Sequence, residues 1–249
     1  MSSRVVYDEE LRKLHREIVQ MGEMAQGMVE KGMRAFLDGD AALKDEVARM
    51  DREIYRHEQL VERHCIELIA LHQPVASDLR TVSTCLKLIT DLNRIGRYGR
   101  DIAELADRGE HGRDLQCPAA VPLMSRLAVS MVADAIAAFV ARDEAAARAL
   151  FERDDEVDSL WDSIFRGSLT YMLEEPRNIP RGTRLILVSR YLERIADHAC
   201  NIGERVVFMV SGVRIDPFER KRPPRLPGPE PPAKATSSDG FYSARLDEK

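Results

Sequence analysis

Four oxygen-bearing side chains follow one another along a predicted helix near the C-terminal end of the chain. They are spaced by four, four and three residues, and they are Glu193, Asp197, Asn201 and Glu204. This spacing places all four on one stripe of a helix. Their oxygens are hard ligands, suited to Mg²⁺, Mn²⁺, Ca²⁺ or an iron ion. The pattern therefore allows a metal site, and a solvated acidic face is the alternative that the same spacing allows.

The stripe lies outside the apolar seam of the same helix. Apolar residues recur there at steps of three and four, as expected for long helices that pack at shallow angles. The seam consists of Leu185, Val188, Leu192, Ile195, Ala199, Ile202, Val206 and Met209. We therefore expect the acidic stripe to face away from the core, so that a bound metal would need further ligands from a neighbouring helix or chain.

A related stripe occurs earlier in the chain, at Asn93, Arg97, Asp101 and Glu104. An arginine has no lone pair to offer a metal, and Arg97 stands where a ligand would be needed. Asp101 and Glu104 remain candidate ligands of a first-half site, although Arg97 could instead neutralise Asp101, one turn further on.

The chain lacks the common signatures of catalysis. It contains no Glu-x-x-His pair of the di-iron bundles, no phosphate-binding loop, no dinucleotide-binding glycine motif and no nucleophile elbow. Its cysteines show no CxxC spacing, so we expect reduced intracellular thiols; they are Cys65, Cys85, Cys117 and Cys200. The sequence predicts a protein that is not an enzyme.

Composition narrows the possible partners. The 249 residues carry a formal charge of −5, which provides no basic field for nucleic acid or an anionic membrane. The N-terminus has no apolar signal segment, and the most apolar stretch, 127–141, is interrupted by Asp134. We therefore predict no signal peptide, no membrane span and no nucleic-acid partner.

The elements that must position these side chains are all helices. Apolar periodicity and the placement of prolines predict six of them, at 8–38, 40–72, 76–109, 119–141, 143–174 and 179–211. No sustained alternation or hairpin turn predicts a strand. The fold class is therefore all-α.

The chain also repeats itself. Residues 35–42 match 138–145 at an offset of 103, which carries Asp51 onto Asp154, and residues 93–95 match 193–195 at an offset of 100. A three-helix unit has been duplicated, which predicts two pseudo-symmetric three-helix bundles in tandem, at 1–112 and 113–212.

The composition changes after Gly212. Seven of the twelve prolines lie between Pro217 and Pro232, and such a segment cannot bury enough apolar surface to fold. We predict a disordered tail at 213–249. Its basic cluster, at residues 220–222 and 225, is expected to be a solvated charge run, with a partner contact as the alternative.

The sequence resembles the PhoU family. The resemblance is clearest in three segments, residues 71–80, 174–179 and 191–204, and it extends over residues 8–211. It implies two three-helix bundles in a cytoplasmic, often dimeric protein that negatively regulates the phosphate regulon. It also implies two partners, the ATPase subunit of the phosphate ABC transporter and a sensor histidine kinase. The resemblance further implies metal clusters bound at surface E/DxxxD motifs, as in members of the family. Glu193 and Asp197 match that motif, whereas Asn93 and Arg97 depart from it. A metal-dependent enzyme and a plain helical scaffold are the alternative functions.

Overall fold

The computed structural model describes residues 3–106 and 118–215, and all regular structure in these ranges is helical. The described ranges contain six α-helices and a single 3₁₀ turn, Pro176–Asn178. The helices are α1 (Ser3–Asp38), α2 (Ala41–His72), α3 (Ala76–Glu104), α4 (Ala120–Ala141), α5 (Glu144–Glu174) and α6 (Ile179–Ser211). The predicted all-α fold is confirmed.

Five helix ends differ from the prediction: α2, α4 and α5 begin one residue later than predicted, and two other ends differ by five residues. Helix α1 begins at Ser3 instead of residue 8, because Tyr7 is buried and its ring lies 5.4 Å from that of His72 at the end of α2. Helix α3 ends at Glu104 instead of residue 109, because the N–H groups of Leu105 and Ala106 bond to carbonyls three residues back and close the helix in a tighter turn.

The two repeats begin their second helices in the same way. The Asp40 carboxylate accepts the N–H groups of Ala42 and Leu43, and the Asp143 carboxylate accepts that of Ala146. Each aspartate satisfies N–H groups that a helix start leaves unpaired. Asp40 and Asp143 correspond at the offset of 103 residues, so the duplication extends to the local chemistry of the turn.

Helices α1, α2 and α3 pack together as one three-helix bundle, and α4, α5 and α6 form the other. The bundles meet where α3 packs on α6 and α1 packs on α4. The buried apolar residues of both form one continuous core, which includes the predicted α6 seam and most of the methionines of α1. The predicted pair of three-helix bundles is confirmed. The predicted boundary between 112 and 113 lies outside the described residues.

Helix α4 is long and apolar enough to cross a membrane, judged by length and composition, and no other helix in the described ranges is. Its most apolar stretch has a mean hydropathy of 1.7, and 44% of that stretch is buried within the protein. Asp134 in this helix pairs with Arg153 of α5. A helix at the centre of a bundle has the same composition, so α4 is weak evidence for a membrane span.

The first residues of the predicted tail lie against the end of α6. The N–H of Val213 donates to the Ser211 hydroxyl over 3.1 Å, the Arg214 guanidinium lies 5.3 Å from the centre of the Phe208 ring, and Ile215 packs on the core. The first three residues of the predicted tail, 213–215, thus have no regular structure but contact the end of α6. Its remainder, 216–249, lies outside the described residues, as does Cys117.

Candidate functional site

The acidic stripe of α6 is more buried than its position off the apolar seam predicts. The side chains of Glu193 and Asp197 are only 14% and 27% exposed, and those of Asn201 and Glu204 are half-buried. Helix α5 packs along this side of α6. None of the four residues belongs to the buried core, but the stripe is partly covered, because seam periodicity identifies one buried face whereas α6 has neighbours on several sides.

Two arginines of α6 itself bind the first two carboxylates. Arg190 pairs with Glu193, and Arg194 lies 3.3 Å from Asp197, each one turn before its partner. The Arg190 guanidinium also lies 5.8 Å from the centre of the Trp161 ring on α5, a distance at which a cation is attracted to the ring face. Arg190 therefore connects an aromatic side chain of α5 to the acidic stripe of α6.

Helix α5 contributes a further carboxylate, that of Asp158, which the sequence analysis missed. Burial raises the pKa of Glu193, and the nearby negative charges of Asp197 and Asp158 raise it further, while Arg190 acts in the opposite direction. Asp158 stands four residues after Asp154, which is itself buried. The signal was present in the sequence, because Asp154 and Asp158 have helical i, i+4 spacing and the duplication carries Asp51 onto Asp154.

In the first repeat, one guanidinium occupies the corresponding place. Arg100 lies 3.0 Å from Asp51 of α2, 2.7 Å from Asp101 and 3.4 Å from Glu104. Asp101 and Glu104, the candidate ligands of a first-half metal site, are thus already bound by a cation of the protein itself. The sequence suggested that Arg97 neutralises Asp101. In the structure Arg100 binds Asp101 instead.

Asn93 has a different partner. Its amide donates to the Glu58 carboxylate of α2. Burial raises the pKa of Glu58, the Asn93 hydrogen bond lowers it, and the Glu62 charge raises it again, with a net upward shift. The first repeat therefore uses an amide–carboxylate contact at the position where the second repeat has Glu193.

The raised pKa of Glu58 predicts a pH-dependent effect of Glu58→Gln. A carboxyl whose pKa is higher in the folded state than in the unfolded state costs stability above that pKa, and the cost disappears at pH values below both. Glutamine keeps an oxygen for Asn93 but carries no charge. We expect the melting temperature to rise by about 1 °C at pH 7 and the two proteins to melt together at pH 3.5. Glu53→Gln, at an exposed position of the same helix, is the control and should change little.

The donors of the second repeat have the right chemistry for a hard cation but do not converge in this structure. Among the described residues, no group of three or more His, Cys, Asp or Glu side chains is arranged to hold a metal ion. The carboxylates of Glu193 and Asp197 are turned toward Arg190 and Arg194. Binding of a cation would require these two arginines to move aside.

The cavities that we describe lie away from the acidic stripe. One groove of 570 Å³ runs between α1 and α2, and another of 320 Å³ lies between α4 and α5. In the first, His64 contacts Glu17 through one ring nitrogen, over 2.7 Å, and Glu10 through the other, over 2.9 Å. His64 of α2 thus lies at the boundary with α1, and neither groove encloses Glu193 or Asp197.

Comparison with known proteins gives one consistent result. The PhoU domain model matches residues 18–106 and 121–206, which fall in the two bundles. A "Phosphate-specific transport system accessory protein PhoU homolog" from Deinococcus radiodurans is 37% identical over 218 residues, covering 85% of this chain and 99% of the relative. The protein of the same description from Rhizobium meliloti is 35% identical over 210 residues, covering 84% and 88%.

Solved structures agree with the sequence comparison. The crystal structure of PhoU from Pseudomonas aeruginosa superposes with a TM-score of 0.77 at 31% identity, covering 83% of this chain and all of that one. The phosphate transport system regulatory protein PhoU from Streptococcus pneumoniae superposes with a TM-score of 0.78 at 26% identity, covering 84% and 99%. The chain is therefore a member of the PhoU family, the accessory proteins of phosphate-specific transport systems.

Proposed function

We propose that this protein is a regulatory adaptor that represses the phosphate regulon and restrains phosphate uptake when phosphate is plentiful. The observation that carries the proposal is the similarity over both repeats to accessory and regulatory PhoU proteins. The helical surfaces of the adaptor contact the ATPase subunit of the phosphate transporter and a sensor histidine kinase in the cytoplasm. The state of the transporter determines which contact is made, because a ligand or partner shifts an equilibrium only by binding one state more tightly. A homodimer is part of the same proposal.

Deletion of the gene tests the regulatory role. In phosphate-rich medium, the deletion strain should express phosphate-starvation genes at the level that the wild type reaches only in starvation. A reporter fused to a starvation promoter measures this, and a plasmid copy of the gene should restore repression. Reporter output that stays low in the deletion strain would contradict the adaptor function and leave a plain helical scaffold. Capture of the ATPase subunit and the kinase with the tagged protein tests the two partners separately.

A metal ion at the second repeat is a further part of the proposal. The observation that favours it is the concentration of carboxylates from two helices, Glu193 and Asp197 on α6 with Asp158 on α5. Burial raises the pKa of Glu193, and the charges of Asp197 and Asp158 raise it further. Oxygen donors of this kind suit iron, manganese or magnesium. The first repeat has Arg100 among its carboxylates instead. A bound metal would therefore occur in one repeat and not in the other.

Elemental analysis of purified protein tests this asymmetry. The wild type should contain stoichiometric metal, and the double variant Glu193→Ala with Asp197→Ala should lose it while its helical circular dichroism stays the same. The matched control, Asn93→Ala with Arg97→Ala in the first repeat, should keep the full metal content. Equal metal in all three proteins would place the ion elsewhere, and absence of metal from the wild type would leave the stripe as an acidic face neutralised by arginines.

A further inference from the structure

Among the contacts that join the two repeats, two neighbouring side-chain pairs between α3 and α6 differ in chemistry. On one side, the Nδ1–H of His198 donates to the Asp91 carboxylate over 2.8 Å, and both residues are buried, with 7% and 9% exposure. On the other side, the rings of Tyr98 and Tyr191 stack with centres 5.8 Å apart and planes inclined by 28°. The Tyr98 ring also lies 5.9 Å from that of His198, so the two contacts adjoin each other.

The duplication makes these four residues two pairs of equivalent positions. At the offset of 100 residues, Asp91 corresponds to Tyr191, and Tyr98 corresponds to His198. A symmetric pairing of the two repeats would make the same contact twice. The chain has instead an aspartate with a histidine on one side and two tyrosines on the other. The duplication therefore accounts for where these contacts lie but not for their different chemistry.

The two contacts respond differently to movement. A hydrogen bond to a carboxylate weakens steeply once its distance or angle leaves a narrow range. An aromatic pair stays attractive with ring centres anywhere from about 4.5 to 7 Å apart. A small rotation of one repeat against the other would thus break the Asp91–His198 bond and preserve the tyrosine stack. The broken state leaves a buried carboxylate without its donor, which is costly unless water enters.

We propose that the Asp91–His198 hydrogen bond is a clasp between the two repeats. The clasp holds the second repeat in one position on the first. When it opens, the turns of α3 and α6 around it lose their cover and fray locally, while α2 and α5 stay folded. The Tyr98–Tyr191 stack keeps the repeats in contact when the clasp is open. This conformational device goes beyond the adaptor function and does not depend on it.

Hydrogen exchange of the full-length protein under native conditions tests the clasp. His198→Phe keeps a ring but removes the donor, so the backbone amides around Asp91 in α3 and around His198 in α6 should exchange about tenfold faster, the effect of losing about 1.4 kcal/mol. The amides of α2 and α5 should exchange at the wild-type rate. His198→Asn places an amide nitrogen near the position of Nδ1 and should stay within about threefold of the wild type. Equal acceleration in all helices, or none in α3 and α6, would overturn the proposal.

Small-angle scattering tests the role of the stack. The radius of gyration should be the same in His198→Phe and in the wild type, because the tyrosines still hold the repeats together. It should increase when Tyr191→Leu is added to His198→Phe. An increase in the single variant would show that the stack does not retain the repeats, and an unchanged value in the double variant would show that other α3–α6 and α1–α4 contacts suffice without it.

Discussion

Replacement of Gly99 by alanine should lower the free energy of unfolding by about 3 kcal/mol, the upper part of the range for an added group in a packed interior. Helices α1 and α3 cross at this residue. A Cβ atom there would lie 2.7 Å from the carbonyl carbon of Met28 and 2.7 Å from the nitrogen of Val29. Both are backbone atoms of α1, so no side-chain rotation can relieve the overlap, and the two helices must move apart. Urea denaturation monitored by circular dichroism measures the change.

Gly167→Ala on α5 is the matched control. No heavy atom lies within 4 Å of the Cβ position at Gly167, so the added methyl group has open space. Alanine favours a helix over glycine by up to about 1 kcal/mol, and we expect this variant to be more stable than the wild type. If Gly99→Ala shows the same gain, α1 and α3 do not approach each other as closely as the structure has them.

The helices and the duplication could be predicted from the sequence because both are local patterns. A seam such as the one from Leu185 to Met209 requires only that apolar residues recur with the period of a helix. The repeat required only the comparison of one stretch of sequence with another. Even a glycine inside a helix, such as Gly99, signals a close approach of some kind. It does not identify α1 as the partner.

Contacts between helices could not be predicted in the same way. Such contacts depend on how each helix is rotated about its axis and on which helices are neighbours. Examples are the contacts of Glu193 with α5, of Asp101 with Arg100 and of His198 with α3. The partial burial of the α6 stripe, which the sequence did not predict, has this origin. Seam periodicity finds one buried face, but α6 packs against α3, α4 and α5 together, so a stripe beside the seam is covered as well.

The substitution Arg100→Met should lower the free energy of unfolding by about 2 kcal/mol, between the small value of a surface ion pair and the larger cost of breaking a buried one. One guanidinium binds carboxylates from two helices, Asp51 on α2 and Asp101 on α3, and all three side chains are only 21–26% exposed. Methionine preserves the length and apolar contacts of the side chain but leaves both carboxylates without their cation. Urea denaturation measures the loss.

Three further variants identify the cause of that loss: Arg148→Met, Asp101→Asn, and Asp101→Asn combined with Arg100→Met. Arg148→Met removes an exposed arginine that pairs with Glu144 one turn away on α5, and it should cost less than about 0.5 kcal/mol. The substitution Asp101→Asn, added to Arg100→Met, removes one of the unpaired charges, so the double variant should be more stable than Arg100→Met alone. A double variant whose loss equals the sum of the two single losses would show that Arg100 and Asp101 do not interact. The loss in Arg100→Met would then come from its contact with Asp51 and not from Asp101.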